Sequence, residues 1–163
     1  MLNGKPVIGL CITKIHEVGR ANLVGHLHRV ADDAGMKLIV FNSFVDFYHA
    51  NDCNEGSRFV YDTIQYDVVD VLVIHDLSFF QKSIVAEMVE RAHKAGKPVV
   101  IINGDRDGCF TVKADFEDAF TTIIDHVFSH HGVTDSYFMA GYEAGDLVSS
   151  ERIDCYKRVL DKH

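Results

Sequence analysis

The chain is 163 residues long and 47% hydrophobic, with a formal net charge of −8 and a mean hydropathy of +0.02. That length holds one ordinary domain with a sizeable core. No apolar run approaches the roughly 20 residues that span a bilayer, and an acidic chain with no basic cluster is poorly suited to neutralising nucleic-acid phosphates.

The N-terminal "MLNGKPVIGL" has one lysine and a short apolar run that ends at "TK", with no small-residue cleavage site. It does not read as a signal peptide, so a cytoplasmic location is expected. Cys11, Cys53, Cys109 and Cys155 lie far apart and form no C-x-x-C pair. They read as reduced thiols.

The hydrophobic pattern alternates between short apolar runs and helical stripes. "PVIGLCI" is the first expected strand. Leu23, Val24, Leu27, Val30, Ala31 and Ala34 form a helical stripe that stops at Gly35. "KLIVFN" is the second strand, and Phe59, Val60, Thr63 and Ile64 outline a shorter helix. "DVLVIHD" is the third strand, followed by a helix face of Ile84, Val85, Met88, Val89 and Ala92 that ends at "AGKP". "PVVIINGD" and the weaker "CFTVKAD" are the fourth and fifth strands. Phe116, Ala119, Phe120, Ile123, Ile124, Val127 and Phe128 make an amphipathic helix that ends at Gly132. "SYFMAG" is a sixth strand. The closing "DLVSSERIDCYKRVLDKH" predicts a helix capped by its serines, with Ile153, Tyr156, Val159 and Leu160 on one face. Apolar strands alternating with helices predict an α/β fold, a parallel sheet with helices on both faces.

In such sheets ligands bind beyond the carboxyl ends of the strands. The residues there are Thr13, Lys14 and His16; Asn42 and Ser43; His75, Asp76 and Ser78; Asn103, Asp105 and Arg106; and Asp115. Each alone also reads as an ordinary polar loop residue. As a set they suit a polar, multi-hydroxyl ligand.

Other signals are weaker. No G-x-x-x-x-G-K-[ST], G-x-G-x-x-G or G-x-S-x-G motif is present. "GYEAGD" reads as a glycine-containing turn. His126 and His130 stand one helical turn apart, but no Asp or Glu completes an obvious metal site, and histidines at a helix C-terminus suit its dipole. His26 and His28 lie two apart on a helix and point in different directions. No metal and no cofactor are expected.

The segments "PVIGLCI", "GHLHRVADDAGMKLIVFNS", "YDVVDVLVIHDLS", "ERAHKAGKPVVIING", "FTVKADFEDAFTTIIDHVFSHHGVTDSYFMAG" and "SSERIDCYKRVL" follow one another in the chain. In that order they resemble the effector-binding domain of lactose-repressor-type (LacI/GalR) regulators, of the periplasmic-binding-protein-like class I fold. The most specific piece is V-x-x-D, a helix, H-x-G-V-x-D-x-x-F-x-x-G, then S-x-x-R-x-x-x-aromatic. The resemblance implies two lobes holding a sugar- or purine-like ligand, with residues 1–114 as the first lobe and 115–163 as the incomplete start of the second. It implies ligand contacts from Lys14 and His16, from His75 and Asp76, from Asp115 and from Arg152.

The chain departs from the family's pattern in three respects, one being that the remainder of the second lobe and the strands that return to the first have no counterpart. "KIHEVGR" replaces the usual aromatic and asparagine signature after the first strand, and the helix-turn-helix of the repressors has no counterpart. The expected protein is a small-molecule sensor that closes its lobes on a ligand and signals, as a homodimer, to a C-terminal output domain. A diguanylate cyclase (GGDEF) is favoured as that output over a transcription regulator. Two alternatives stand beside it. One is an α/β enzyme acting on a phosphorylated sugar or nucleoside-like substrate, with Asp76, Asp105 or Asp115 as acid or base. The other is a dimerisation module using the Leu23–Ala34 or Ile84–Ala92 helix.

Overall fold

A computed structural model describes residues 4–45, 47, 52–139 and 147–163. The chain forms two compact units, Met1–Lys113 and Ala114–His163.

The first unit is a parallel sheet of β1 (Val7–Thr13), β2 (Lys37–Ser43), β3 (Val71–His75), β4 (Val99–Ile102) and β5 (Phe110–Val112), in the order β2-β1-β3-β4-β5. Its helices are α1 (Val18–Asp33), α2 (Asp52–Asp62) and α3 (Lys82–Lys94). The alternation of side chains along each strand gives the sheet two apolar faces. Cys11, Leu72, Ile74, Val99 and Ile101 face α2 and α3, where the expected stripe Ile84, Val85, Met88, Val89 and Ala92 is buried throughout. Leu10, Ile12 and Val73 face α1 through Leu23, Val24 and Leu27. Cys11, Cys109 and Cys155 are free thiols. Among the described residues no helix is long and apolar enough to cross a membrane.

Several expectations are corrected. In α1, only Ala31 of the expected stripe is buried; Leu23, Val24 and Leu27 are half-buried, Val30 points outward at 65% exposure, and Ala34 is exposed at the helix C-cap. The helix α2 ends at Asp62, before Thr63 and Ile64. Its face is also rotated: Phe59 is 65% exposed, and Tyr61 is buried instead. Tyr61 is drawn inward because its hydroxyl donates to the Ile12 carbonyl at 2.8 Å and its ring meets Phe79 edge-on at 5.1 Å. β5 pairs with β4 in register, Phe110 beside Val100 and Val112 beside Ile102, yet all three of its residues are exposed.

The second unit holds α4 (Phe116–His131) and α5 (Leu147–Lys162). Asp115 caps α4 by accepting from the Glu117 N–H at 3.0 Å, and Gly132 ends it with a left-handed φ of 62°. Only Ile124 of the predicted α4 stripe is buried, with Phe116 and Ile123 exposed. The predicted sixth strand is absent at 136–139, and its remaining residues and the "GYEAGD" turn lie outside the described residues. The Phe138 ring nevertheless packs on Phe120 and stacks on Tyr156. α5 begins at Leu147, so Ser149 and Ser150 lie inside it rather than at its cap. Cys155 and Val159 are buried, while Leu160 is 39% exposed.

At the carboxyl edge of the sheet a 3-10 turn, Asp76–Ser78, follows β3. The Asp76 carboxylate takes Lys82 Nζ at 2.7 Å on one oxygen and Arg106 at 3.1 Å on the other. Lys82 Nζ also donates to the Asp76 carbonyl at 2.9 Å. Gly104 is buried against this carboxylate: a Cβ there would stand 2.6 Å from Asp76 Cβ and 2.8 Å from its Cγ. Gly104→Ala is therefore expected to lower stability by about 1–3 kcal/mol, the usual cost of overpacking, read as a lower urea midpoint at unchanged slope. An unchanged midpoint would contradict this packing.

Candidate functional site

The sheet order reverses at β1. The chain leaves β1 for α1 on one face, and leaves β3 for α3 on the other. Adjacent strands whose connections part to opposite faces leave a crevice at their carboxyl ends. The residues around it were the sequence candidates, and the structure gives them different duties.

Thr13 forms the floor. It is fully buried; its N–H donates to Ser78 Oγ at 3.1 Å and its hydroxyl donates to the Ser78 carbonyl at 2.6 Å. Ser78 Oγ in turn donates to the His75 carbonyl at 2.8 Å. These bonds fasten the turn after β3 to the end of β1. Asn42 fixes the loop after β1, its Oδ1 accepting from the Ile15 N–H at 3.0 Å. Lys14 holds a left-handed φ of 49°; its N–H donates to the Ser43 carbonyl at 2.6 Å, and its Nζ lies 4.0 Å from Glu17. That kink directs His16 outward, where its ring stacks on Phe44 at 5.9 Å with a 20° interplanar angle.

On the β3 and β4 side, Asp76 is the shared acceptor of Lys82 and Arg106. Asn103 is also left-handed, φ 55°, and its N–H donates to the Val112 carbonyl at 2.9 Å. Asp105 accepts from the Thr111 hydroxyl at 3.3 Å. The remaining two candidates lie in the second unit. Asp115 is the α4 cap, and Arg152 lines a pocket with Phe116, Glu117, Phe120 and Cys155.

His75, the last residue of β3, stands apart. Its ring is half-buried, and Nδ1 is enclosed with no hydrogen-bond partner among the described residues. Burial, reinforced by the neighbouring Arg20 guanidinium, pushes its pKa down to about 4. Arg20 itself is tied to the end of β1, donating to the Thr13 carbonyl at 3.2 Å. A neutral imidazole therefore lines the crevice at ordinary pH, with a polar atom left unsatisfied at some cost.

Sequence reasoning overlooked the apolar rim. Phe44 is 71% exposed, Phe80 47% and Leu77 39%, all immediately beyond β2 or β3. The available signal was the set of aromatic residues just beyond two strands, Phe44, Phe47 and Tyr48 after the second and the Phe79–Phe80 pair after the third. An exposed aromatic ring beside hydrogen-bonding groups offers one flat apolar surface and several directional contacts, the usual makeup of a small-molecule site.

Because the folded-state pKa of His75 lies below its unfolded value near 6.5, the unfolded chain takes up this proton first. Stability from neutral His75 is complete above about pH 6.5 and is lost as the pH falls toward about 4, by up to roughly 3 kcal/mol. Urea titrations between these pH values should show the loss, and His75→Gln should remove most of it. Equal pH dependence in the two proteins would contradict this assignment.

No protein-family model matches the chain, and no curated protein matches it in sequence. Solved structures do match in three dimensions. One is an ABC-transporter solute-binding protein from Clostridium phytofermentans with bound β-D-glucose, at TM-score 0.72 and 12% identity, covering 96% of this chain and 48% of that one. A second is the lac repressor dimer bound to operator and an anti-inducer, at TM-score 0.68 and 13% identity, covering 98% and 52%. A third is the Escherichia coli transcriptional repressor AscG, at TM-score 0.63 and 20% identity, covering 98% and 55%. This chain thus has the periplasmic-binding-protein-like fold found in solute-binding proteins and LacI-type regulators, and it spans about half the length of those it matches.

Proposed function

We propose that this chain is the ligand-binding part of a small-molecule sensor, with a sugar or a purine-like molecule held at the carboxyl edge of the parallel sheet. The observation that carries the reading is the crevice between β1 and β3, where exposed Phe44 and Phe80 flank His16, His75 and the Asp76 cluster. A sugar presents an apolar ring face and a rim of hydroxyls, and this edge has counterparts for both. The glucose in the Clostridium solute-binding protein and the anti-inducer in the lac repressor dimer support the same ligand class.

In this reading residues 1–114 are a first lobe and 115–163 begin a second. Arg152 supplies the second lobe's contact, and Asp115 orients the helix that opens it. The protein works in the cytoplasm. Ligand favours a closed pair of lobes, and that population shift biases an attached output domain, either a diguanylate cyclase or a transcription regulator. The enzyme alternative is weaker, because the carboxylates of Asp76, Asp105 and Asp115 are each engaged in holding structure.

A homodimer is assigned to the outward side of α1, where Val18 and Val30 are 77% and 65% exposed. The outward side of α3 instead carries ion pairs from Glu87, Glu90, Arg91 and Lys94. Light scattering should give a dimer for the native chain and a monomer for Val30→Glu. A native monomer at high concentration would eliminate this interface.

A thermal-shift screen on the protein carrying this chain tests the sensor reading. At least one sugar, nucleobase or sugar phosphate should raise Tm, since a ligand at 100 times its Kd adds about 2.7 kcal/mol. Unchanged Tm across all three classes would sink the proposal.

A further inference from the structure

The crevice between β1 and β3 gathers an excess of positive charge, although the chain as a whole carries a net −8. Across the outer faces of α2 and α3, Arg58, Arg91 and Lys94 each pair with an exposed carboxylate of their own, Glu87, Asp62 and Glu90. At the crevice the ratio differs. Asp76 serves both Lys82 and Arg106, and exposed Glu17 serves both Arg20 and Lys14. The other carboxylates of the β4–β5 loop, Asp105 and Asp107, are exposed and screened by solvent, and Asp105 is turned to Thr111.

We propose that the ligand at this edge is an anion, carrying a phosphate or carboxylate group that Arg20, Lys82 and Arg106 receive. This deepens the sensor reading and rests on it. The argument is one of unused donors on cations already held in place. The Arg20 side chain is 19% exposed, and among the described residues only its Nη1 is engaged, by Glu17 at 3.3 Å and by the Thr13 carbonyl at 3.2 Å. Its Nε and Nη2 keep their protons for another acceptor. Arg106, 24% exposed, directs Nε and Nη2 at one oxygen of Asp76 and leaves Nη1. Lys82 directs two donors at Asp76 and leaves a third.

These cations converge on one ring. Burial first, and then the charges of Arg20 and Lys82, hold the His75 imidazole neutral against the opposite pull of Asp76, so His75 lies within reach of cations from both α1 and α3. Thr13 links the same groups by bonds. Its carbonyl takes Arg20, and its hydroxyl donates to Ser78 in the turn whose Asp76 takes Lys82 and Arg106. Half-buried cations with incomplete partners are costly, and an anion that completes them offsets that cost. A guanidinium fork matches phosphate or carboxylate, which accept two parallel bonds, better than it matches a neutral hydroxyl.

Titration calorimetry in phosphate-free buffer, on the protein carrying this chain, tests the inference. Glucose, ribose and adenosine are each compared with their own phosphate monoester, and glucose also with glucuronate. At least one anionic probe should bind roughly tenfold or more tightly than its neutral parent, the gain from one charge-assisted bond. Added sodium chloride should shrink that gain. The phosphate and glucuronate arms decide which anion is held. Arg20→Gln should erase most of the gain and leave the neutral parent's affinity unchanged, whereas Arg58→Gln, which removes an equal charge from α2, should alter neither. Arg20→Lys keeps the charge but loses the fork; it should fall between the native protein and Arg20→Gln, and it stands in if circular dichroism shows Arg20→Gln unfolded. Neutral parents that bind as tightly as their anions would overturn this inference and leave the sensor reading standing. Binding by no probe of either kind would remove both. A gain that survives Arg20→Gln in full would overturn the assignment to this crevice.

Discussion

The carboxylate of Asp76 is the contact on which the carboxyl edge of the first unit depends. It joins the end of β3, the first residue of α3 and the β4–β5 loop through Lys82 and Arg106. Its side chain is only 10% exposed, so either cation alone would leave it poorly compensated, and losing both would leave a buried charge without a partner. Removing one member of such a buried group typically costs several kcal/mol. Gly104 follows from the same constraint, since no side chain fits between the backbone and this carboxylate. The Thr13–Ser78 bonds then fasten the same turn to β1. Together they make a rigid floor of polar groups held in place by one another, while Lys82 and Arg106 keep donors that these bonds do not use.

Above that floor the groups change character. His16 and Phe44 stack at the end of β1 and β2, Phe80 and Leu77 stand beyond β3, and the neutral imidazole of His75 keeps one nitrogen unpaired. Preorganised polar support beneath an apolar, partly hydrogen-bonding rim is what a binding edge requires, because the ligand then meets groups already held in place. The second unit differs in kind. Its two helices bury Ile124, Cys155 and Val159 while Phe116, Ile123, Tyr137 and Met139 remain exposed.

The parallel sheet and α3 were legible in the sequence because unbroken apolar runs and a stripe at helical spacing have few other meanings. Tyr61 was not. Its inward turn depends on a hydrogen bond to Ile12, 49 positions away in the chain, and no local pattern records such a partner. The strand-end residues show the same limit. The sequence marked Asn42 and Asp115 as strand-end polar groups, but not that each accepts from a nearby backbone N–H, a local bond that polar side chains beside a loop or helix start often make. Phe44 escaped notice because aromatic residues in a loop carry no periodicity that separates an exposed ring from a buried one such as Phe47.

The central claim is that the carboxyl edge of the β1–β3 crevice receives a small polar ligand. Backbone amide chemical-shift mapping by NMR during titration with a stabilising sugar or nucleobase tests it most directly. The account predicts shifts concentrated at Lys14–His16, Asn42–Phe44, His75–Phe80 and Asn103–Arg106, the four loops that follow β1 to β4. Shifts confined to the opposite, amino-terminal edge of the sheet, around Pro6, Asp70 and Pro98, would contradict it.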